Sequence, residues 1–237
     1  MTDVEDAEDV LALTPMQAGI LAHSLLSPAS SAFHLQVEYV LDGTLDDALL
    51  ERAWRSVVER HEALRTSFVW ERVDIPSRVV HGRVDLPLVR HDLRDVDGAE
   101  QTARLESIRE QERRGTFDLT RAPLMRVVSI AIGERRTHLV WTFHHVVLDG
   151  QSAGAVLRDL WQSYADLVAG RAPAREPPPP HRSFADWQHQ DLGAAEAYWR
   201  KRLDGAGAPV RLSIDEGLAD AAAPRDDLSY ARVSLPR

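Results

Sequence analysis

The sequence predicts an α/β protein of the α+β type, and three observations carry that reading. His34–Leu41 alternates, with Leu35, Val37, Tyr39 and Leu41 on one side, the period-two pattern of a half-buried strand. Two stretches instead follow the helical period: Leu49, Leu50, Ala53, Trp54, Val57 and Val58, and later Leu157, Leu160, Trp161, Tyr164, Leu167 and Val168; each predicts an amphipathic helix. Leu124–Ile132 and Thr137–His144 flank Gly133-Glu134-Arg135-Arg136, the layout of a β-hairpin.

The remaining elements follow in chain order. Residues 1–12 are acidic and are expected to form a flexible N-terminus. Thr14-Pro15-Met16-Gln17 opens a helix: Thr14 caps it, Pro15 suits the first helical position and Gln17 stands at the capping-box position. Met16, Ile20 and Leu21 supply its apolar spacing, and Ser27-Pro28 stops it. Asp42-Gly43 ends the first strand, and Thr44 with Asp47 makes a second capping box ahead of the helix that runs to about His61. Residues 60–70 lead into another strand, residues 78–90 hold one or two more, and residues 98–114 form a charged helix with Leu105 and Ile108 inward. The hairpin brings His144 and His145 to the end of its second strand, and a strong helix follows Gly150. Residues 169–180, with Pro177-Pro178-Pro179-Pro180, read as a stiff extended connector. Helical pieces around Phe184–Gln190 and from about Ala194 to Leu203 come next, then a loop over 204–227 and a strand at Tyr230–Leu235. The organisation expected is a lobe over 13–170, a Pro-rich connector over 171–181, and helices with a first strand over 182–237 that lead onward. A strand in last place implies that the chain is incomplete.

Composition bounds the function. The chain has 237 residues, 44% hydrophobic and 27% charged, which suits one large soluble domain or two small ones. No apolar run reaches the ~18 residues of a membrane span, and the acidic start lacks the basic and apolar regions of a signal peptide. Cysteine is absent, which excludes disulfides, thiolate metal ligands and a cysteine nucleophile, and a cytoplasmic location is expected. A formal net charge of −9 argues against binding a nucleic-acid backbone.

The stretch with most chemistry is Phe143-His144-His145-Val146-Val147-Leu148-Asp149-Gly150. Side chains alternate along a strand, so His144 and His145 are expected on opposite sides, one facing a channel and one packing. Imidazole titrates near neutrality and is a natural general base. Asp149 is placed to orient an imidazole or to pair with a buried arginine. Gly150 lets the backbone turn sharply or approach a ligand, and the helix behind it offers free N–H groups and a positive dipole end to a developing negative charge. The same residues also fit a polar strand end with no chemistry. A metal site from His144, His145 and Asp149 is disfavoured, because adjacent strand histidines diverge and no third ligand stands at a useful spacing. There is no Gly-x-Ser-x-Gly elbow and no phosphate loop.

Several motifs occur in an order that resembles a known family. Leu13-Thr14-Pro15-Met16-Gln17-Ala18-Gly19-Ile20-Leu21, Arg60-His61-Glu62-Ala63-Leu64-Arg65-Thr66-Ser67-Phe68 and His144-His145-Val146-Val147-Leu148-Asp149-Gly150 resemble the first three core motifs of nonribosomal peptide synthetase condensation domains. Phe117-Asp118-Leu119, Ala122-Pro123-Leu124-Met125-Arg126 and Arg182-Ser183-Phe184-Ala185-Asp186-Trp187 are similar to the same family, although His181 and Ser183 depart from its usual aromatic and acidic residues. The similarity runs from about residue 11 to the end.

The resemblance implies a chloramphenicol acetyltransferase-like fold: a two-layer sandwich lobe, a mixed sheet flanked by helices, with only one of the family's two lobes present. In the family two lobes form a V around a tunnel. Two peptidyl carrier proteins bring phosphopantetheine-tethered thioesters to opposite mouths, and the acceptor amine attacks the donor thioester to make an amide. Carried over, His145 is the general base or the group positioning the α-amine, and His144 packs. Asp149 is ion-paired to an arginine, Gly150 lies near the reacting thioester, and Arg60 and Arg65 are scaffold, with Arg65 a candidate partner for Asp149. No cofactor or metal is bound by the chain itself. The implied partners are carrier proteins, an adenylation domain and the C-terminal condensation lobe; neither nucleic acid nor membrane is implied. Cyclisation relatives carry aspartates in place of the paired histidines and epimerisation relatives depart from Arg-His-Glu-x-Leu-Arg-Thr, so condensation is the expected subtype; Leu13–Leu21 and Leu139–Gly150 look most like domains that join two L-configured residues. The chain resembles the donor-side, N-terminal half, with little or no condensation expected from it alone. Two other readings stand beside this one: a non-catalytic recruiting module of the same fold, and a coenzyme A-dependent acyltransferase, which would share His-x-x-x-Asp-Gly but not Arg-His-Glu-x-Leu-Arg-Thr.

Overall fold

Alternation in the sequence becomes a four-stranded mixed sheet with helices on both faces. The computed structural model describes residues 7–207 apart from residues 29, 174–177, 179–180 and 189–192. Its elements run β1 (Ala7–Ala12), α1 (Pro15–Leu26), β2 (His34–Asp42), α2 (Asp47–Arg60), a 3₁₀ turn (Glu62–Arg65), β3 (Thr66–Val69), β4 (Ser77–His81), β5 (Leu88–Asp92), α3 (Gly98–Arg114), β6 (Met125–Gly133), β7 (Arg136–His144), α4 (Gly150–Val168), α5 (His181–Gln188) and α6 (Gly193–Arg202). The larger sheet has the order β2-β7-β6-β5. Its β2–β7 and β6–β7 pairs are antiparallel and its β5–β6 pair is parallel.

Register sorts the side chains. Val37 lies opposite Trp141 and Tyr39 opposite Leu139, while Met125 lies opposite Phe143 and Val127 opposite Trp141. These residues share one face and pack with α2 and α4 in the main core. The Trp54 and Trp141 rings there are fully buried, with centroids 5.5 Å apart. The opposite face is covered by α3, whose Leu105 packs on Val128, Ile130 and Val140. Both helices and both hairpin strands thus form where periodicity predicts them, because each apolar stripe meets the face it matches.

Four expectations are corrected. The N-terminus is not loose from Ala7 onward: β1 pairs antiparallel with β4 in a second sheet of order β1-β4-β3. Its acidic residues meet arginines, Glu8 with Arg65 at 2.7 Å and Asp9 with Arg182, while Leu11 turns into the core. The cap of α2 is Asp46 rather than Thr44; its carboxylate accepts from the Ala48 and Leu49 amides at 2.9 and 3.0 Å. Met16 is 73% exposed, because the inward row of α1 is Gln17, Ile20 and Leu21. Val168 is also exposed, at the last residue of α4, off the row that Leu160 and Leu167 bury.

The chain divides into two units, Met1–Gln188 and His189–Arg237. Helix α6 is the described element of the second, and its side chains are all exposed. Most of the Pro-rich connector over 171–181 and the strand expected at Tyr230–Leu235 lie outside the described residues. Among the described residues no helix is long and apolar enough to cross a membrane.

Candidate functional site

Strand β7 ends at His144, and the chain turns through residues 145–147 before α4 begins at Gly150. His144 closes the α3-side face and is 3% exposed. Its Nδ1 accepts from the Val146 amide at 3.2 Å, so a neutral ring carries its proton on Nε2. Burial, with smaller contributions from His34 and His145, pulls its pKa down to about 4. The His34 and Phe117 rings pack against it edge-on, with centroids 5.4 and 6.1 Å away. His144 is therefore a neutral packing group at neutral pH, as its place on a covered face dictates.

His145 differs because it has left the ladder. Its amide donates to the Phe33 carbonyl at 2.8 Å, and its half-buried ring folds over the turn. Nδ1 lies 2.8 Å from the Leu148 carbonyl. A carbonyl only accepts, so Nδ1 carries the hydrogen, and in the neutral ring the lone pair then sits on Nε2. That is the tautomer a base needs if Nε2 is to take a proton.

Asp149 is the N-cap of α4: its Oδ1 accepts from the Ser152 amide and hydroxyl, both at 2.7 Å. Those bonds hold its carboxyl below the usual carboxylate range, chiefly through the Ser152 amide. No arginine is paired with Asp149 among the described residues, and Arg65, the candidate partner, is bound to Glu8 instead. The carboxylate also occupies the helix end, so the free amides and dipole expected to meet a developing anion are partly engaged by Asp149. Gly150 starts α4 without a positive φ. It is not needed for a sharp turn, but a Cβ there would meet nothing within 4 Å, so open space lies in front of it.

Arg60 and Arg65 flank a cavity of about 630 Å³ between α2, the 3₁₀ turn and α4, also lined by His61, Leu148, Ser152 and Val156. Arg60 Nε and His61 Nε2 reach the same Asp159 oxygen at 3.1 and 2.8 Å, tying α2 to α4. Arg65, buried at 6% exposure, joins the 3₁₀ turn to β1 through Glu8 and to β4 through the His81 carbonyl. Both arginines hold elements together; His145, Asp149 and Gly150 do not line this cavity. Among the described residues no group of three or more His, Asp or Glu side chains is placed to hold a metal ion.

Two features of the site escape sequence reasoning. The acceptor for His145 is a main-chain carbonyl, which no residue letter announces. Gln17 reads in the sequence only as a capping residue, yet its Nε2 also donates to the Val146 carbonyl at 3.2 Å.

Known proteins share this fold. The family model described as Condensation domain matches residues 7–234. A linear gramicidin synthase of Brevibacillus parabrevis is 38% identical over 221 residues, which is 92% of this chain and 4% of that protein. The starter condensation domain of rhizomide synthetase superposes with a TM-score of 0.73 at 23% identity, covering 87% of this chain and 52% of that one. A mutant of that domain, in complex with C8-CoA and Leu-SNAC, superposes with a TM-score of 0.74 at 22% identity, covering 86% of this chain and 47% of that one. The chain thus spans about half the length of the solved domains and a small part of the curated relative.

Proposed function

Because the chain belongs to the condensation-domain family, we propose that it forms one wall of a site that joins two carrier-bound aminoacyl or peptidyl thioesters through an amide bond. The observation that carries this is the His145 ring: Nδ1–H is fixed on the Leu148 carbonyl, and Nε2 is left as the acceptor. An α-ammonium must lose a proton before it attacks a thioester. A histidine within hydrogen-bond reach contributes about 10²–10⁴-fold as a base, and holding two tethered substrates together contributes the rest. Once the amine is neutral, its nitrogen bonds to the thioester carbon and gives one proton to Nε2, the carbon–sulfur bond breaks, and His145 returns that proton to the departing carrier thiolate.

The other residues support this step. His144 packs and stays neutral. Asp149 caps α4 and so fixes the end of the turn. The space in front of Gly150 takes the thioester, where a side chain would stand in its way. Arg60 and Arg65 brace α2, α4 and β1 behind the turn. The relative bound to C8-CoA supports phosphopantetheine as the arm that presents the substrates, and the synthetase relatives support peptidyl carrier proteins and an adenylation domain as partners. A second lobe supplies the opposite wall, and condensation depends on it.

The test mixes this chain with a second condensation lobe and two loaded carrier proteins and reads dipeptide by mass spectrometry. Product is expected with the wild type, and His145→Ala should lower its rate by about 10²-fold or more. Undiminished product from His145→Ala would overturn the assignment. Gly150→Ala separates space from stability. It should leave the thermal midpoint unchanged or slightly raised, since alanine is the better helix former by up to about 1 kcal/mol, and still reduce the rate.

A further inference from the structure

The reactive turn is held from a distance by a residue of the first helix. Gln17 is 9% exposed and uses both ends of its amide. Its Oε1 accepts from the Thr14 amide at 3.1 Å, and its Nε2 donates to the Val146 carbonyl at 3.2 Å. The orientation is unambiguous, because the Thr14 amide only donates and the Val146 carbonyl only accepts. The Thr14 hydroxyl accepts from the Gln17 amide at 3.2 Å, so the capping box locks the α1 backbone from which the side chain reaches. We propose that Gln17 is a positioning residue for His145: it fixes the Val146 peptide, and thereby the angle at which the His145 ring meets the Leu148 carbonyl.

The geometry of the turn makes this specific. Its other ties are local or come from the neighbouring strand end: the Val146 amide to His144 Nδ1, the Val147 amide to the His144 carbonyl at 3.2 Å, and the His145 amide to the Phe33 carbonyl. Between His145 and Leu148, Gln17 supplies a side-chain clamp from 129 residues away in sequence. Without it the Val146 carbonyl is left buried and unpaired, which costs enough for the peptide to rotate. Rotation moves the His145 Cα relative to the Leu148 oxygen, and Nδ1 loses its fixed acceptor. The ring then reverts toward the Nε2–H tautomer that free histidine side chains favour in water, in which Nε2 is no longer a base.

The capping role of Gln17 and its clamping role separate by substitution. Gln17→Glu keeps an acceptor for the Thr14 amide but loses the donor to Val146. Gln17→Met keeps the shape and loses both bonds. Thr14→Val removes the capping hydroxyl and leaves the clamp. The chain is labelled with ¹⁵N at its histidine rings, and the His145 signals are assigned by comparison with His145→Gln. Wild type and Thr14→Val should both show His145 with the proton on Nδ1, Thr14→Val at a lowered thermal midpoint. Gln17→Glu and Gln17→Met should both show His145 shifted toward the Nε2-protonated form. A wild-type ring protonated on Nε2, or an unchanged tautomer in both Gln17 variants, would overturn the proposal. A kinetic arm rests on the amide-forming reading: with second lobe and carriers, Gln17→Met should lower kcat about tenfold or more with KM within about twofold. The spectra need no turnover, so a failure of the amide-forming reading leaves the tautomer result standing by itself.

Discussion

Beneath α2 and α4 the four-stranded sheet presents Leu35, Val37, Tyr39, Leu139, Trp141 and Phe143, while beneath α3 the same two strands present His34, Gln36, Glu38, His138, Thr142 and His144. One face is apolar and the other is largely polar, although strand and register are shared. The polar face survives burial because its groups answer one another. Gln36 Nε2 donates to Thr142 Oγ1 at 3.2 Å, and Glu38 is bonded to both His138 and Arg109. Burial alone would raise the Glu38 pKa, but the His138 and Arg109 hydrogen bonds outweigh it and hold it below the usual range. The apolar face carries the larger buried cluster, while the other sets polar groups beside its smaller one as far as the turn where His145 emerges. Both faces also keep an unmatched atom: the Trp54 and Trp141 indole nitrogens on one and His34 Nδ1 on the other have no hydrogen-bond partner among the described residues.

The contrast predicts how each face fails. Trp141→Ala should be the most damaging change, costing about 3–5 kcal/mol through a large cavity in the apolar core; a urea midpoint close to wild type would break the comparison. On the α3 face the effect should depend on pH. His144 titrates near 6.5 when unfolded and at about 4 when folded. Between those values the unfolded chain holds the extra proton, so stability is full above about pH 6.5 and falls as pH drops toward 4, by about 3 kcal/mol at most. Urea titrations across that range should show the slope in wild type and a smaller one in His144→Phe; equal slopes would remove His144 from the account. Glu38→Gln should be milder, about 1–2 kcal/mol at neutral pH, because the side chain is partly exposed and its bonds to Arg109 and His138 weaken rather than vanish. The Glu38 contribution is present above the unfolded carboxylate pKa and is lost as pH falls through the lower folded value. Thermal midpoints of Glu38→Gln and wild type should therefore converge in acid.

Where pattern and packing coincide, the fold is legible. Trp54 and Val57 announce α2, the glycine between Ile132 and Arg136 announces the hairpin, and both fall where expected because periodicity is what a sheet-facing helix and a paired strand need. Acidity misleads at the N-terminus: Glu8 and Asp9 obscure a strand whose charges are met by arginines distant in sequence. Thr44 and Asp46 are both good caps by type, and only the backbone path decides for Asp46. At the site, motif spacing singles out His145, Asp149 and Gly150 but not what each touches. Arg65 is free to be paired with Asp149 on paper; in space Glu8 reaches it first. The Gln17 side chain shows its local bond to Thr14 and conceals the one across the fold to Val146, because a residue letter records a donor without naming its acceptor.

The partner that orients the His145 ring is the peptide oxygen of Leu148. Many histidine bases are oriented by a carboxylate side chain, which a single codon change can delete. A peptide oxygen is present whatever amino acid stands at that position. The orienting acceptor is therefore immune to substitution and vulnerable only to movement of the chain: drift in a gene encoding this turn can rewrite the Leu148 side chain without taking the acceptor away, while any change that bends the backbone removes it at once.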